Sequence, residues 1–234
     1  MISEIKRYIN AEIVLGYLKV PFSAADEVML QKANESIEAV LNHAQIKTVT
    51  EVFDVSLLAQ QIDFHTASGT ATVRSNDLAV FLEQSNQVVV VAVTLGHAVS
   101  RLIKRTLVMS PSDAVYLDAA ASAIADATCD YIQDSQTASV MKAGKFSSGR
   151  FSPGYGDLEL STQATFLHLI GAEKRIGCHL TSAYLLVPEK SVIFVMGIST
   201  VPYTGNTKTC SGNCGSCPME YCRFRRSSVE KRSI

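Results

Sequence analysis

The chain has 234 residues, 47% of them hydrophobic, enough to bury a substantial core as one domain or two small ones. Its 21 basic and 22 acidic residues leave a formal charge of −1, so no global basic field argues for nucleic acid. The longest apolar run, residues 88–93, is far short of a membrane span, and residues 1–7 carry no signal-peptide hydrophobic region.

Ile5, Ile9, Ile13, Val14 and Tyr17 recur at near-helical spacing, which predicts a short helix over 4–19 that Pro21 ends. Ser23, with Asp26 three residues on, reads as a capping box opening a helix to about Ala44. Its apolar line through Met29, Ala33, Ile37, Val40 and Ala44 makes one buried stripe. Residues 48–58 alternate β-branched and polar side chains and predict a strand. Further strands are expected over 62–66 and 70–74, joined at Ser68-Gly69, with a short helix over 77–84. Residues 87–95 are continuously apolar and β-branched, the pattern of a central strand covered on both faces. Gly96 stops that strand, and His97 then reads as a helix-start residue, because no second His or Cys stands at ligand spacing.

Ser110-Pro111-Ser112-Asp113 is a strong helix start, and the helix is expected to run to about Gln133. Asp126 and Asp130 lie one turn apart on it, on one face. A helix carrying Phe166, Leu167, Leu169 and Ile170 is expected to open near Ser161, with His168 exposed. Residues 180–187 and 192–199 are strand-like and suit an antiparallel pair. Helices and strands do not alternate strictly. The reading is therefore an α+β fold rather than a doubly wound parallel sheet.

Between the long helix and the next one stands Arg150-Phe151-Ser152-Pro153-Gly154-Tyr155-Gly156. Pro153 fixes its own φ and pushes Ser152 toward extended geometry, while Gly154 and Gly156 permit positive φ or a close approach to a ligand. A guanidinium and a phenol ring on such a frame suit a small molecule carrying a carboxylate and a flat or cationic group. The same composition also suits a surface turn.

Arg150-x-x-Pro153-Gly154-Tyr155 resembles the S-adenosylmethionine-binding signature of the activation domain of cobalamin-dependent methionine synthase. The similarity continues through residues 158–161, 176–182 and 188–192, and upstream through 93–97 and 117–122. These separated blocks occur in one order and cover most of residues 85–225. The resemblance implies an α+β domain with a central, largely antiparallel sheet flanked by helices. It divides the chain into an N-terminal portion (1–84), an activation-domain core (85–204) and a Cys-rich basic tail (205–234). It implies that Arg150 meets the carboxylate of S-adenosylmethionine and that backbone groups of residues 151–154 surround the ligand. Tyr155 would stand near the sulfonium, where an aromatic neighbour is favoured. It also implies an acid of the long helix against the ligand's amino group, aligned here to Asp126. No general base or nucleophile is needed, and none stands out. The cofactors implied are S-adenosylmethionine and cobalamin on a partner.

Cys210, Cys214, Cys217 and Cys222 form C-x3-C-x2-C-x4-C. Four thiolates this close repel unless a cation or an iron–sulfur core neutralises them, so the readings are an iron–sulfur cluster, zinc, or a metal-free tail. Free-standing relatives of the domain similarly end in a short Cys motif followed by Arg-rich residues. Arg223, Arg225, Arg226, Lys231 and Arg232 make the end of this chain basic. Cys129 and Cys178 sit in apolar elements and read as core. With no secretory leader in view, a cytoplasmic, reducing location is expected, and six cysteines there are not a disulfide framework.

No cobalamin-, homocysteine- or folate-binding module is legible in this chain. The expectation is therefore a reactivation module acting in trans on a methionine synthase lacking its own activation domain, or on another corrinoid protein. Its electron would come from a donor such as flavodoxin or ferredoxin, or through a cluster in the tail. The competing reading is an iron–sulfur or zinc-binding redox accessory that keeps the fold without using S-adenosylmethionine. An independent methyltransferase is disfavoured, since its usual strand–Gly-rich-loop–acid arrangement is absent.

Overall fold

Asn10 divides the first apolar stretch in two. Its backbone is extended (φ −152°) and its side chain accepts the Ile13 N–H at 3.0 Å, so α1 (Ile2–Ile5) and α2 (Ala11–Tyr17) replace the single helix expected there. The computed structural model describes residues 1–203. Helix α3 (Glu27–His43) is capped by Asp26, whose Oδ1 accepts the Met29 N–H at 2.7 Å. Ser23 belongs to the preceding 3-10 turn and takes no part in that cap. A cap needs its oxygen within reach of the N2 or N3 amide, which Asp26 has.

Strands β1 (Lys47–Leu58), β2 (Gln61–Thr66) and β3 (Gly69–Arg74) form an antiparallel meander, followed by α4 (Asn76–Phe81). Strand β4 (Gln87–Thr94) pairs along its whole length with β1, so the sheet draws on both sides of residue 84. Helix α5 (His97–Met109) follows, with His97 at its exposed start. Helix α6 (Pro111–Lys142) then runs two turns beyond the expected end at Gln133, about 48 Å in all. Val140 on those turns, like Ile132 just before them, is buried with Phe194, Met196 and Ile198, which is why the helix continues across the sheet.

The chain returns through β5 (Phe146–Ser147), α7 (Gln163–Leu169), α8 (Ala172–Ile176), β6 (His179–Leu180), β7 (Leu186–Val187) and β8 (Ser191–Ser199). Residues 180–187 are not one strand. Only their ends pair, as the two-residue strands β6 and β7 closing on a loop, and β8 instead pairs antiparallel with β4. Strand β8 is buried on both faces, and pairing with β4 sets it inside the sheet, between the α4, α7 and α8 core on one side and α6 on the other. The order β3-β2-β1-β4-β8-β5 is antiparallel throughout, as expected of a sheet flanked by helices.

Period-2 alternation sorts the two faces. Val88, Val90 and Ala92 point to a core shared with α4, α7 and α8, whereas Val89, Val91 and Val93 point to α6. Helices α1, α2, α3, α5 and α6 pack as a helical layer on that second side. Among the described residues, no helix is long and apolar enough to cross a membrane.

Candidate functional site

The strand alternation reaches the Arg150 loop. Phe151 makes an antiparallel bridge to Val195, with its N–H donating to the Val195 carbonyl at 2.9 Å and its carbonyl accepting in return at 2.8 Å. Cross-strand partners share a face, so Phe151 falls with Val195 on the α4–α7 side and Arg150 falls with Phe194 on the α6 side. Phe151 is accordingly buried, its ring 5.3 Å from that of Phe81. The Arg150 guanidinium lies 5.5 Å from the centre of the Phe194 ring, a cation–π stack.

Helix α6 supplies the counter-charge. Asp130 Oδ1 accepts from Arg150 Nη2 at 2.7 Å, and the two side chains are each 25% exposed. Arg150 Nη1 is buried and has no hydrogen-bond acceptor among the described residues. A buried donor left unpaired is costly. The Cys129 thiol shares this neighbourhood: burial pushes it up to about 12, with the Arg150 guanidinium opposing the shift and Asp126 and Asp130 adding to it. Cys129 and Cys178 are both buried core residues.

Asp126, one turn before Asp130, is exposed and accepts a short hydrogen bond from the Tyr17 hydroxyl of α2. Burial, followed by the Asp126 carboxylate, holds the Tyr17 phenol well above its ordinary range, with Asp130 contributing. The structure thus places Tyr17, Asp126, Cys129, Asp130 and Arg150 in one charged neighbourhood along α6, with the direct ion pair on Asp130. Tyr17 also lines a cavity of about 410 Å³ between α2, α5 and α6, whose other walls include Leu18, Ile103, Leu107 and Val115.

Residues 152–156 leave the sheet and turn. The Gly154 N–H donates to the Leu158 carbonyl at 2.7 Å and the Tyr155 N–H to the Ser152 carbonyl at 3.1 Å. Gly154 and Gly156 take φ of +92° and +53°, conformations that favour glycine. A Cβ on Gly156 would strike the Asp77 carboxylate, so the loop backbone passes directly against the Asp77 side chain of α4. Tyr155 is 54% exposed, its ring 6.1 Å from Phe151, while Leu158 is buried.

Sequence reasoning did not single out Asp130, Phe194 or Asp157. Asp130 was visible only as the neighbour of Asp126 on one helix face. The Cys210, Cys214, Cys217 and Cys222 motif and the basic end lie outside the described residues. Among the described residues, no group of three His, Cys, Asp or Glu side chains is placed to hold a metal ion.

Among solved structures, the chain is similar to the crystal structure of the MetH reactivation domain bound to AdoHcy, with a TM-score of 0.65. The similarity covers 89% of this chain and 79% of that one at 14% identity, and it shows the fold. No protein-family model matches the chain, and no curated protein matches it.

Proposed function

We propose that this chain is an S-adenosylmethionine-binding module that serves the reductive methylation of cob(II)alamin, in trans, on a cobalamin-dependent methionine synthase or a related corrinoid protein. The observation that carries the reading is the Arg150 guanidinium. It is fixed on Phe194 and Asp130, with the buried Nη1 lacking an acceptor, on the fold of a domain that was solved with AdoHcy. A fork held on one side and unpaired on the other fits a carboxylate.

S-adenosylmethionine carries an α-ammonium beside its carboxylate, and acids stand beside Arg150 here. Arg150 would take the carboxylate and Asp126 the ammonium, with the Asp130 charge next to both. Phe151 has committed both backbone groups to Val195, and Gly154 its N–H to Leu158. The backbone left for the ligand is therefore the Ser152 N–H with the Pro153 and Gly154 carbonyls. The exposed Tyr155 ring would stand near the sulfonium, where its face favours positive charge. Bound there, S-adenosylmethionine would supply the methyl group, and a donor such as flavodoxin or ferredoxin the electron. The work of this chain's residues is binding and orientation.

Calorimetric titration of the protein with S-adenosylmethionine and with AdoHcy tests the reading. Wild type binds and Arg150→Ala loses binding by at least about a hundredfold, in line with deleting a charge-assisted contact to a carboxylate. Equal affinity in the two proteins would reject it. No binding by wild type, accompanied by metal in the purified chain, would favour the redox accessory, to which the four-cysteine tail points.

A further inference from the structure

The loop that carries Tyr155 is fastened at its far end by a contact with residues 80 positions back along the chain. The Asp157 carboxylate accepts from the Ser75 hydroxyl, from the Asn76 N–H at 2.8 Å and from the Asp77 N–H at 3.1 Å. These are free amides of the first turn of α4, which an anion satisfies. The contact is reciprocal, because the Asp157 N–H donates to Asp77 Oδ2 at 3.2 Å. Ser75 meanwhile remains the local cap of α4, its oxygen accepting the Leu78 N–H at 3.0 Å. Two carboxylates, Asp77 and Asp157, are held close together, an arrangement that costs energy unless donors outnumber them. Here four donors converge. The Ser75 hydroxyl leads them in holding the Asp157 carboxyl below its ordinary range, with the Asn76 and Asp77 amides adding to its effect.

Helix α4 has a serviceable cap without Asp157, so the residue is surplus to the helix. What it adds is position. Gly156, the residue before it, runs so close to Asp77 that no side chain fits, and Leu158, the residue after it, is buried. Phe151 is pinned to Val195 at the other end of the turn. Residues 152–156 are therefore suspended between two fixed points, one on the sheet and one on α4.

We propose that Asp157 is a positioning residue: by clamping the 152–156 turn to the start of α4, it holds Tyr155 and the loop backbone in the geometry that takes the ligand. This rests on the function proposed above, and the clamp itself is testable without ligand.

Three forms of the intact chain decide it: wild type, Asp157→Ala, and Asp157→Ala combined with Ser75→Asp. Asp is as good a helix cap as Ser and returns to the N-terminus of α4 the negative charge lost with Asp157, so the double variant restores the helix end without rejoining the loop. In the ligand-free proteins, amide exchange at Gly154 and Tyr155, whose N–H groups are bonded within the turn, is expected to quicken at least about tenfold in both variants. Affinity for AdoHcy is expected to fall roughly tenfold in both, while the melting temperature returns to the wild-type value in the double variant. A purely structural role would instead restore affinity along with melting temperature, and that outcome overturns the proposal. So does unchanged exchange at those two amides in Asp157→Ala. Failure of wild type to bind S-adenosylmethionine or AdoHcy rejects the proposed function, and the exchange rates then judge the clamp alone.

Discussion

Truncating Arg150 and Asp130 singly and together tests the central contact of the site by its energy. Their ion pair is 2.7 Å long with each side chain 25% exposed. Partial exposure discounts it below a buried pair, and a charge-assisted hydrogen bond in that setting is worth about 1–2 kcal/mol. The stack on Phe194 adds about 0.5–1 kcal/mol to the Arg150 side alone. Arg150→Ala should therefore cost about 2 kcal/mol. Asp130→Ala should cost about 1 kcal/mol, since alanine's better helix propensity returns roughly 0.5 kcal/mol within α6. Because the two side chains share one contact, the double variant loses only about 2 kcal/mol rather than the sum. That leaves a coupling energy of about 1 kcal/mol, with the propensity gain cancelling in the cycle. Urea denaturation with an unchanged m-value is the assay. A coupling below about 0.3 kcal/mol, the ordinary error of additivity, would show that Arg150 is not held by Asp130 and would remove the argument for a pre-set guanidinium.

Asp126→Asn should weaken S-adenosylmethionine binding roughly tenfold in calorimetry by deleting the charge for its ammonium; unchanged affinity would take Asp126 out of the site. Gly156→Ala combines positive φ with a Cβ against Asp77, so thermal unfolding should show a loss of about 1–3 kcal/mol, and a loss under 0.5 kcal/mol would contradict the close approach. The Cys129 thiol is raised to about 12, so above its ordinary value the unfolded chain releases a proton that the folded one keeps. Stability should then fall as pH rises from about 9, by at most about 1.4 kcal/mol per pH unit from this group, and Cys129→Ala should flatten the dependence of urea midpoints on pH. If the electron passes through a cluster in the tail, replacing Cys210, Cys214, Cys217 and Cys222 with Ser should abolish both bound metal and electron-dependent reactivation of a corrinoid partner; full reactivation by that variant would dismiss an electron path through the tail.

Some of this protein was settled by sequence alone, because the signals are local. The run at residues 88–93 has no polar alternation, and a strand of that kind is stable only between two covered faces, where β4 lies. Ser110-Pro111 opens α6 where expected, since a proline at the first helical position gives up nothing. The stiffness and permissiveness of residues 150–156 were likewise legible from Pro153, Gly154 and Gly156. Other features depended on which distant residues meet. Strand β8 had no way to declare β4 rather than residues 180–187 as its partner, because hydrophobic patterning specifies a face but not a neighbour. The two turns of α6 beyond Gln133 exist because Val140 finds the sheet beneath it. The choice between Asp126 and Asp130 is of the same kind. Both stand on one helical face, and only the placement of Arg150 on the Phe194 side of the sheet gives the ion pair to Asp130 and leaves Asp126 to Tyr17. Asp157 reads as one more loop acid until the fold carries it 80 residues back along the chain to the open amides of α4. Periodicity and turn chemistry act over a few residues, whereas charges and hydrogen bonds are allotted only after packing has decided who is near whom.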